Sequence, residues 1–255
     1  MSAPASIPLG LGTVKIGRNQ GVKYPKAFDL PDDRSVEALL DLALALGITL
    51  LDTAPAYGTS EERLGKLLGQ RREQFSILTK AGEDFANGES HFDFSGDAIS
   101  GSIERSLRRL HTDRVDTVLL HSDGNDLAIL DQSGAVDALF AARDKGHCRQ
   151  IGISTKTVAG GLRAIELGLD AVMITYHPDY LEEEAVLDEA AKTGTQVYLK
   201  KVLGSGWTPT RSEDADPIES AFRFVRAHPC QPVPIVGTIN PVHLRENVAA
   251  FRKSL

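Results

Sequence analysis

Short runs of branched apolar residues alternate along the chain with stretches whose apolar residues recur every three or four positions. The runs read as buried strands and the stretches as amphipathic helices. Leu9–Gly17 (LGLGTVKIG) reads as the first strand and Ile48–Asp52 as the second. Phe75–Lys80, Val115–His121, Cys148–Ser154, Asp170–His177, Gln196–Lys201 and Val233–Gly237 follow. The helices show as stripes. The first holds Val36, Leu39, Leu40 and Ala43; the second Leu64, Leu67 and Leu68; the third Ile99, Ile103, Leu107 and Leu110. Ala135–Lys145, Thr157–Leu167 and a stretch near 182–193 supply three more. Ile218, Ala221, Phe222 and Val225, then Leu244, Val248 and Phe251, mark the last two.

Stop and start signals agree with these assignments. Asp32 or Asp33 opens the first helix, and Gly47 closes it as a C′ glycine. Ser60, before Glu61 and Glu62, reads as the N-cap of the second. Asp216, Pro217 and Glu219 make a capping box, and Asn240-Pro241 opens the final helix. Ala81–Ser95 reads as a loop, and the arginines of the third helix as a solvated face.

Eight strand-then-helix units without a linker predict a single-domain (β/α)8 barrel over residues 1–255. The rival is an open doubly wound sheet, which carries a glycine fingerprint in its first turn when it binds a dinucleotide. No G-x-G-x-x-G is present. The net charge of −7 argues against nucleic acid or an anionic membrane as partner. Cys148 and Cys230 lie in no close Cys/His pattern, so no metal site is expected. With no signal segment and no long apolar run, a cytoplasmic protein is expected.

In such a barrel, chemistry sits at the C-terminal strand ends. Asp52 ends the second strand with Tyr57 in the following loop, Lys80 ends the third and His121 the fourth. Neighbouring strands are about 5 Å apart, so these residues converge on one rim. Singly, each has a plain structural reading, such as an Asp52–Lys80 ion pair or a core histidine. Together they suit proton delivery. Free tyrosine has a pKa of about 10, and a nearby ammonium lowers it. Asp52 would fix Lys80, and a neutral His121 would orient a carbonyl.

The segments LDTAPAYGTSEERLG, ILTKAG, VLLHSD, IGIS and PIVGTINPVHLRENV, in this order and spacing, resemble the aldo-keto reductase superfamily over nearly the whole chain. The resemblance implies a barrel that reduces aldehydes and ketones with NADPH, less often NADH. It places the family's tetrad on Asp52, Tyr57, Lys80 and His121, with Tyr57 as general acid. It implies nicotinamide contacts at Ser154 and its neighbour Thr155, where the family usually has Asn. Met173 falls where it has Gln, and Lys200 where an aromatic residue often stacks on the nicotinamide. Leu203 is a further cofactor-binding candidate, and Gly204, Ser205 and Gly206 would wrap the pyrophosphate from the other side or form a flexible loop. Gly237, Thr238, His243, Glu246 and Asn247 would form the adenosine-phosphate loop, without the Lys and Arg of many relatives.

Tyr24, Phe85, Phe92 and Trp207 are candidates for the substrate wall, or for packing within their own loops. A chain ending soon after the last helix implies an open pocket. A small carbonyl or alcohol is the expected partner, for a monomer or small homo-oligomer. Rival readings are a Schiff-base enzyme using Lys80 or Lys200, and a cofactor-binding regulatory subunit.

Overall fold

The computed structural model describes residues 5–22, 27–204 and 216–255. Eight parallel strands close into a barrel. They are β1 (Gly10–Gly12), β2 (Leu50–Asp52), β3 (Ser76–Ala81), β6 (Val115–His121), β7 (Cys148–Ser154), β8 (Ala171–Thr175), β9 (Gln196–Lys200) and β10 (Val233–Val236). Pairing runs around the ring in that order, and β10 closes onto β1 with Gly10 opposite Ile235. Outside lie α2 (Asp33–Ala45), α3 (Ser60–Leu68), α4 (Gly96–Arg109), α5 (Asp126–Gln132), α6 (Ala135–Asp144), α7 (Val158–Glu166), α8 (Glu184–Thr193), α9 (Pro217–Arg226) and α10 (Pro241–Lys253).

Two shells of apolar side chains hold the fold. The larger fills the space between strands and helices, where the sequence-read stripes lie: Val36, Leu64, Ile103, Leu139, Phe222 and Phe251 are all buried there. The smaller plugs the barrel and comprises Leu78, Leu119, Ala171, Met173, Tyr198 and Ile235, with Leu50 packed against them. Side chains alternate across a strand, so the residue two positions beyond each plug residue also points inward. The next inward layer is therefore Asp52 above Leu50, Lys80 above Leu78, His121 above Leu119 and Lys200 above Tyr198. Polar groups replace the plug at one mouth of the barrel, and that is the mouth at the C-terminal ends of the strands.

Four local expectations need correction. The first strand stops at Gly12, and Val14–Gly17 forms a helical turn, α1, in which Arg18 N donates to Val14 O. Alternation suggested extension, but the Gly17 backbone lies against the next loop: a Cβ there would stand 2.2 Å from Ser60 N. Ser60 does not cap α3, because its hydroxyl turns inward to Thr13 Oγ1 at 2.8 Å and Thr59 takes the cap position. The stretch read as a plain loop after β3 holds an antiparallel hairpin, β4 (Glu83–Ala86) and β5 (Glu89–Phe92). Its turn is Asn87-Gly88, both at positive φ (54° and 86°), the two-residue signal of a tight hairpin. The α4 arginines are not simply solvated: Arg105 pairs with Asp84 at 2.9 Å, and Arg109 reaches Glu61 and Glu62 at 3.4 Å each. The short helix α5 was also not read from the sequence.

Candidate active site

Asp52 and Lys80 are both buried, with side chains 6% and 1% exposed, and form an ion pair between adjacent strand ends. The Lys80 ammonium donates to Asp52 Oδ1, to Thr53 O at 3.0 Å and to Tyr57 Oη at 3.0 Å. Three donors thus meet three acceptors, and a buried charge is held by full hydrogen bonding. The Tyr57 hydroxyl in turn reaches Asp52 Oδ2 at 3.4 Å. Tyr57 is presented by a single 3₁₀ turn, Pro55–Tyr57, followed by Gly58 at φ 62°. A Cβ on Gly58 would lie 2.3 Å from Gly17 O, so glycine lets this loop fold back onto the α1 turn.

His121 completes this side of the mouth. Its ring meets that of Tyr57 edge-on, with centroids 6.2 Å apart. Its Nδ1 stands 2.7 Å from Glu83 Oε2 on β4, close but short of regular hydrogen-bond alignment. Burial lowers the His121 pKa, Glu83 opposes that, and the Lys80 ammonium adds to it. Burial alone would raise the Glu83 carboxyl, but His121, Ser90 and Arg18 together bring it to about 2. Glu83 is therefore a carboxylate through the neutral range, and His121 rests neutral. Sequence reading missed Glu83 because the hairpin that presents it was missed.

The far side of the mouth is built by β7, β8 and β9. Lys200 Nζ donates to Ser154 Oγ at 3.1 Å and also to Thr155 O, reaching across β8. Glu183, buried beneath, accepts from Thr175 N at 2.9 Å and from Thr155 Oγ1 at 3.3 Å. Asp126 ties the β6 and β7 loops together, accepting from Ser122 Oγ, Lys156 N at 3.0 Å and Thr157 N at 2.8 Å. The arrangement is a polar cup walled by an acid–amine–phenol chain on one side and an amine on the other.

A model of the Aldo/keto reductase family matches residues 8–221. The chain belongs to the aldo/keto reductase family. It is an oxidoreductase of that family, whose members act on small-molecule carbonyl compounds. A solved Pseudomonas aeruginosa structure described as an aldo-keto reductase superposes with a TM-score of 0.86 at 48% identity, over 97% of this chain and 90% of that one. The curated D-threo-aldose 1-dehydrogenase of a Pseudomonas species is 31% identical over 80% of this chain and 68% of its own. The 6-dehydroglucose reductase of Agrobacterium fabrum is 26% identical over 86% and 83% respectively.

Within this aldo/keto reductase, the other sequence-derived candidates are spread over the rim. Gly204 follows β9, at φ 60°. Thr238 precedes α10 and accepts from Asn240 N at 3.0 Å, while Asn240 caps the helix through Val242 N at 2.9 Å. Asn247 is buried on α10, whereas His243 and Glu246 are exposed. Arg245, also exposed on α10, is a cation that sequence reading passed over. Met173 points into the barrel plug. Phe85 lies under the Arg18 guanidinium, 3.4 Å from the ring centroid, beside Tyr57, and Phe92 stacks on Phe94 and is 41% exposed. Tyr24, Ser205, Gly206 and Trp207 lie outside the described residues.

Burial pulls the Lys200 amine down from 10.5 to about 8; Glu183 opposes this, and Lys201 and Lys80 add to it. The unfolded chain keeps that proton at higher pH, so between about 8 and 10.5 it binds more protons than the folded one. Stability from this group therefore rises with pH across that window, and at neutral pH its charge costs stability. Lys200→Met is expected to melt a few degrees higher at pH 7, about 2–4 °C per kcal/mol for a chain of this size. Calorimetry at pH 7 and 10 checks this: the advantage should shrink at the higher pH, and an equal advantage at both would contradict it.

Proposed function

We propose that this enzyme interconverts a small aldehyde or ketone and its alcohol with NADPH, or NADH, as hydride carrier, and that Tyr57 is the proton donor. The Lys80–Tyr57 contact of 3.0 Å carries this reading. Negative charge developing on the phenol oxygen as it gives up its proton would be stabilised by the adjacent ammonium. Asp52 holds that ammonium in place, and the backbone oxygen of Thr53 fixes its direction. His121, edge-on to Tyr57, would lie against the substrate, and the β4–β5 hairpin carrying Phe85 and Phe92 would wall the pocket.

The donor set fits a dinucleotide. Ser154 offers a hydroxyl at the mouth, and Thr238 and the first turn of the 13-residue α10 offer polar groups to a phosphate. Ser154, Thr155 and Lys200 would hold the nicotinamide end. Leu203, Gly204, Ser205, Gly237, Thr238, His243, Glu246 and Asn247 would hold the remainder. The bound cofactor supplies the hydride. NADPH is the first choice, with Arg245 as the cation nearest in sequence to the α10 start. We favour a cytoplasmic location; no helix among the described residues is long and apolar enough to cross a membrane.

The test is equilibrium titration of the protein with NADPH and NADH by nucleotide fluorescence, followed by oxidation of each on aldehydes, ketones and sugars. Saturable binding and turnover are expected, with NADPH bound more tightly. Tight binding without turnover on the whole panel would favour a regulatory subunit, and no binding would remove the proposal. A Schiff base on Lys80 has little support, since its three N–H directions are all taken.

A further inference from the structure

The contact between His121 and Glu83 restricts what the histidine can offer a substrate. The contact falls short of regular hydrogen-bond alignment, but a bare Nδ1 lone pair 2.7 Å from a carboxylate oxygen would still be repelled, so Nδ1 carries a proton. A neutral imidazole has one proton to place, and Nε2, across the ring from Glu83, is then without one. We infer that Glu83 is a positioning residue that locks neutral His121 as the Nδ1–H tautomer, so that Nε2 offers the mouth an acceptor, and a donor only once the ring is protonated.

The groups around the ring support a neutral resting state. Glu83 faces it from β4, Lys80 acts from β3, Lys200 from β9, and Tyr57 meets it edge-on from the loop after β2. Arg18 stands behind Glu83 and adds to the carboxylate's stabilisation. Two ammoniums and burial oppose a third positive charge, and one carboxylate favours it. The hairpin gives that carboxylate a fixed seat: β4 and β5 pair along their full length, and Asp93 N donates to Gly82 O at 3.1 Å to close its base.

The consequence concerns substrate class, and it rests on the function proposed above. A carbonyl oxygen has only lone pairs and cannot hydrogen-bond to a bare Nε2. A hydroxyl can. The resting site therefore favours a substrate that brings a hydroxyl to His121: an alcohol, a hemiacetal or a hydroxylated aldehyde. A plain carbonyl gains a donor there only when the ring takes up a proton, so its reduction is favoured toward acid pH.

The test labels the imidazole nitrogens with ¹⁵N in the whole protein, free of cofactor. Seven histidines are present, and His121→Gln identifies the resonance by its loss. Above the titration, Nδ1 should show a protonated, pyrrole-type shift and Nε2 an unprotonated, pyridine-type shift. Glu83→Gln keeps an accepting oxygen, so the tautomer should persist while the protonation constant of His121 falls about tenfold, or roughly 1.4 kcal/mol. Glu83→Ala should lose the tautomer preference. In turnover, the ratio of kcat/KM for glyceraldehyde over propanal should fall about tenfold in Glu83→Ala.

The reverse tautomer in the unaltered protein overturns the inference, and so does a Glu83→Ala variant with unchanged tautomer and titration. The predicted tautomer in a protein that binds neither NADPH nor NADH supports the inference and counts instead against the proposed site chemistry.

Discussion

Tyr57→Phe will lower turnover by about 10²–10⁴-fold, the range expected for removal of a general acid. Cofactor affinity will change little. The substitution deletes one oxygen, the atom that accepts from Lys80 and donates to Asp52. The ring keeps its place, because the Pro55–Tyr57 turn and the packing of Gly58 against Gly17 set the backbone. In the proposed reaction the lost group is the one that changes protonation, so the effect would fall on kcat as well as kcat/KM. Steady-state kinetics on the best substrate, beside a fluorescence titration with NADPH, separates the two. A variant that keeps more than a tenth of the parent's kcat would show that the proton comes from elsewhere.

Lys80→Met should have a second large effect, on stability as well as activity. It removes the cation from a pair in which both side chains are almost wholly buried. Asp52 would remain, with its charge unpaired beneath Tyr57. Stranding one partner of a buried pair costs about 3–5 kcal/mol. A protonated carboxyl escapes that cost, so the variant should lose less stability in acid than at neutral pH. Chemical denaturation at pH 4 and pH 8 checks the sign. The double variant Asp52→Leu, Lys80→Met should recover much of the stability and none of the activity. Equal loss at both pH values would mean that Asp52 is hydrated or otherwise paired once Lys80 is gone.

Sequence pattern and structure agree best where burial is two-sided. The Cys148–Ser154 strand and the caps Asp216 and Asn240 lie where the residues indicated. Buried parallel strands are continuous apolar runs, and caps are local hydrogen bonds within a few residues. Both are therefore written in short stretches of chain. The misreadings have the opposite cause. The strand pattern of Leu9–Gly17 was cut at Gly12, and the hydroxyl of Ser60 was drawn from its cap, by residues 39 and 47 positions away. The Asn87-Gly88 hairpin was a local signal simply passed over.

By itself, the sequence determined the number and order of strand–helix units, and hence the barrel and the three residues on neighbouring strand ends, with Tyr57 in the loop after the second strand. Alternation along a strand and strand spacing are properties of the backbone, so placing Asp52, Lys80 and His121 in one inward layer needed no knowledge of contacts. Only the tertiary structure decided that Glu83 stands against His121, that Lys200 spans to Ser154, and that Met173 belongs to the barrel plug. Those contacts join segments distant in the chain, and each depends on how far a side chain reaches across the closed mouth. Hydrogen-bond direction and proton placement follow from angstrom-scale distances, which a periodic pattern does not encode.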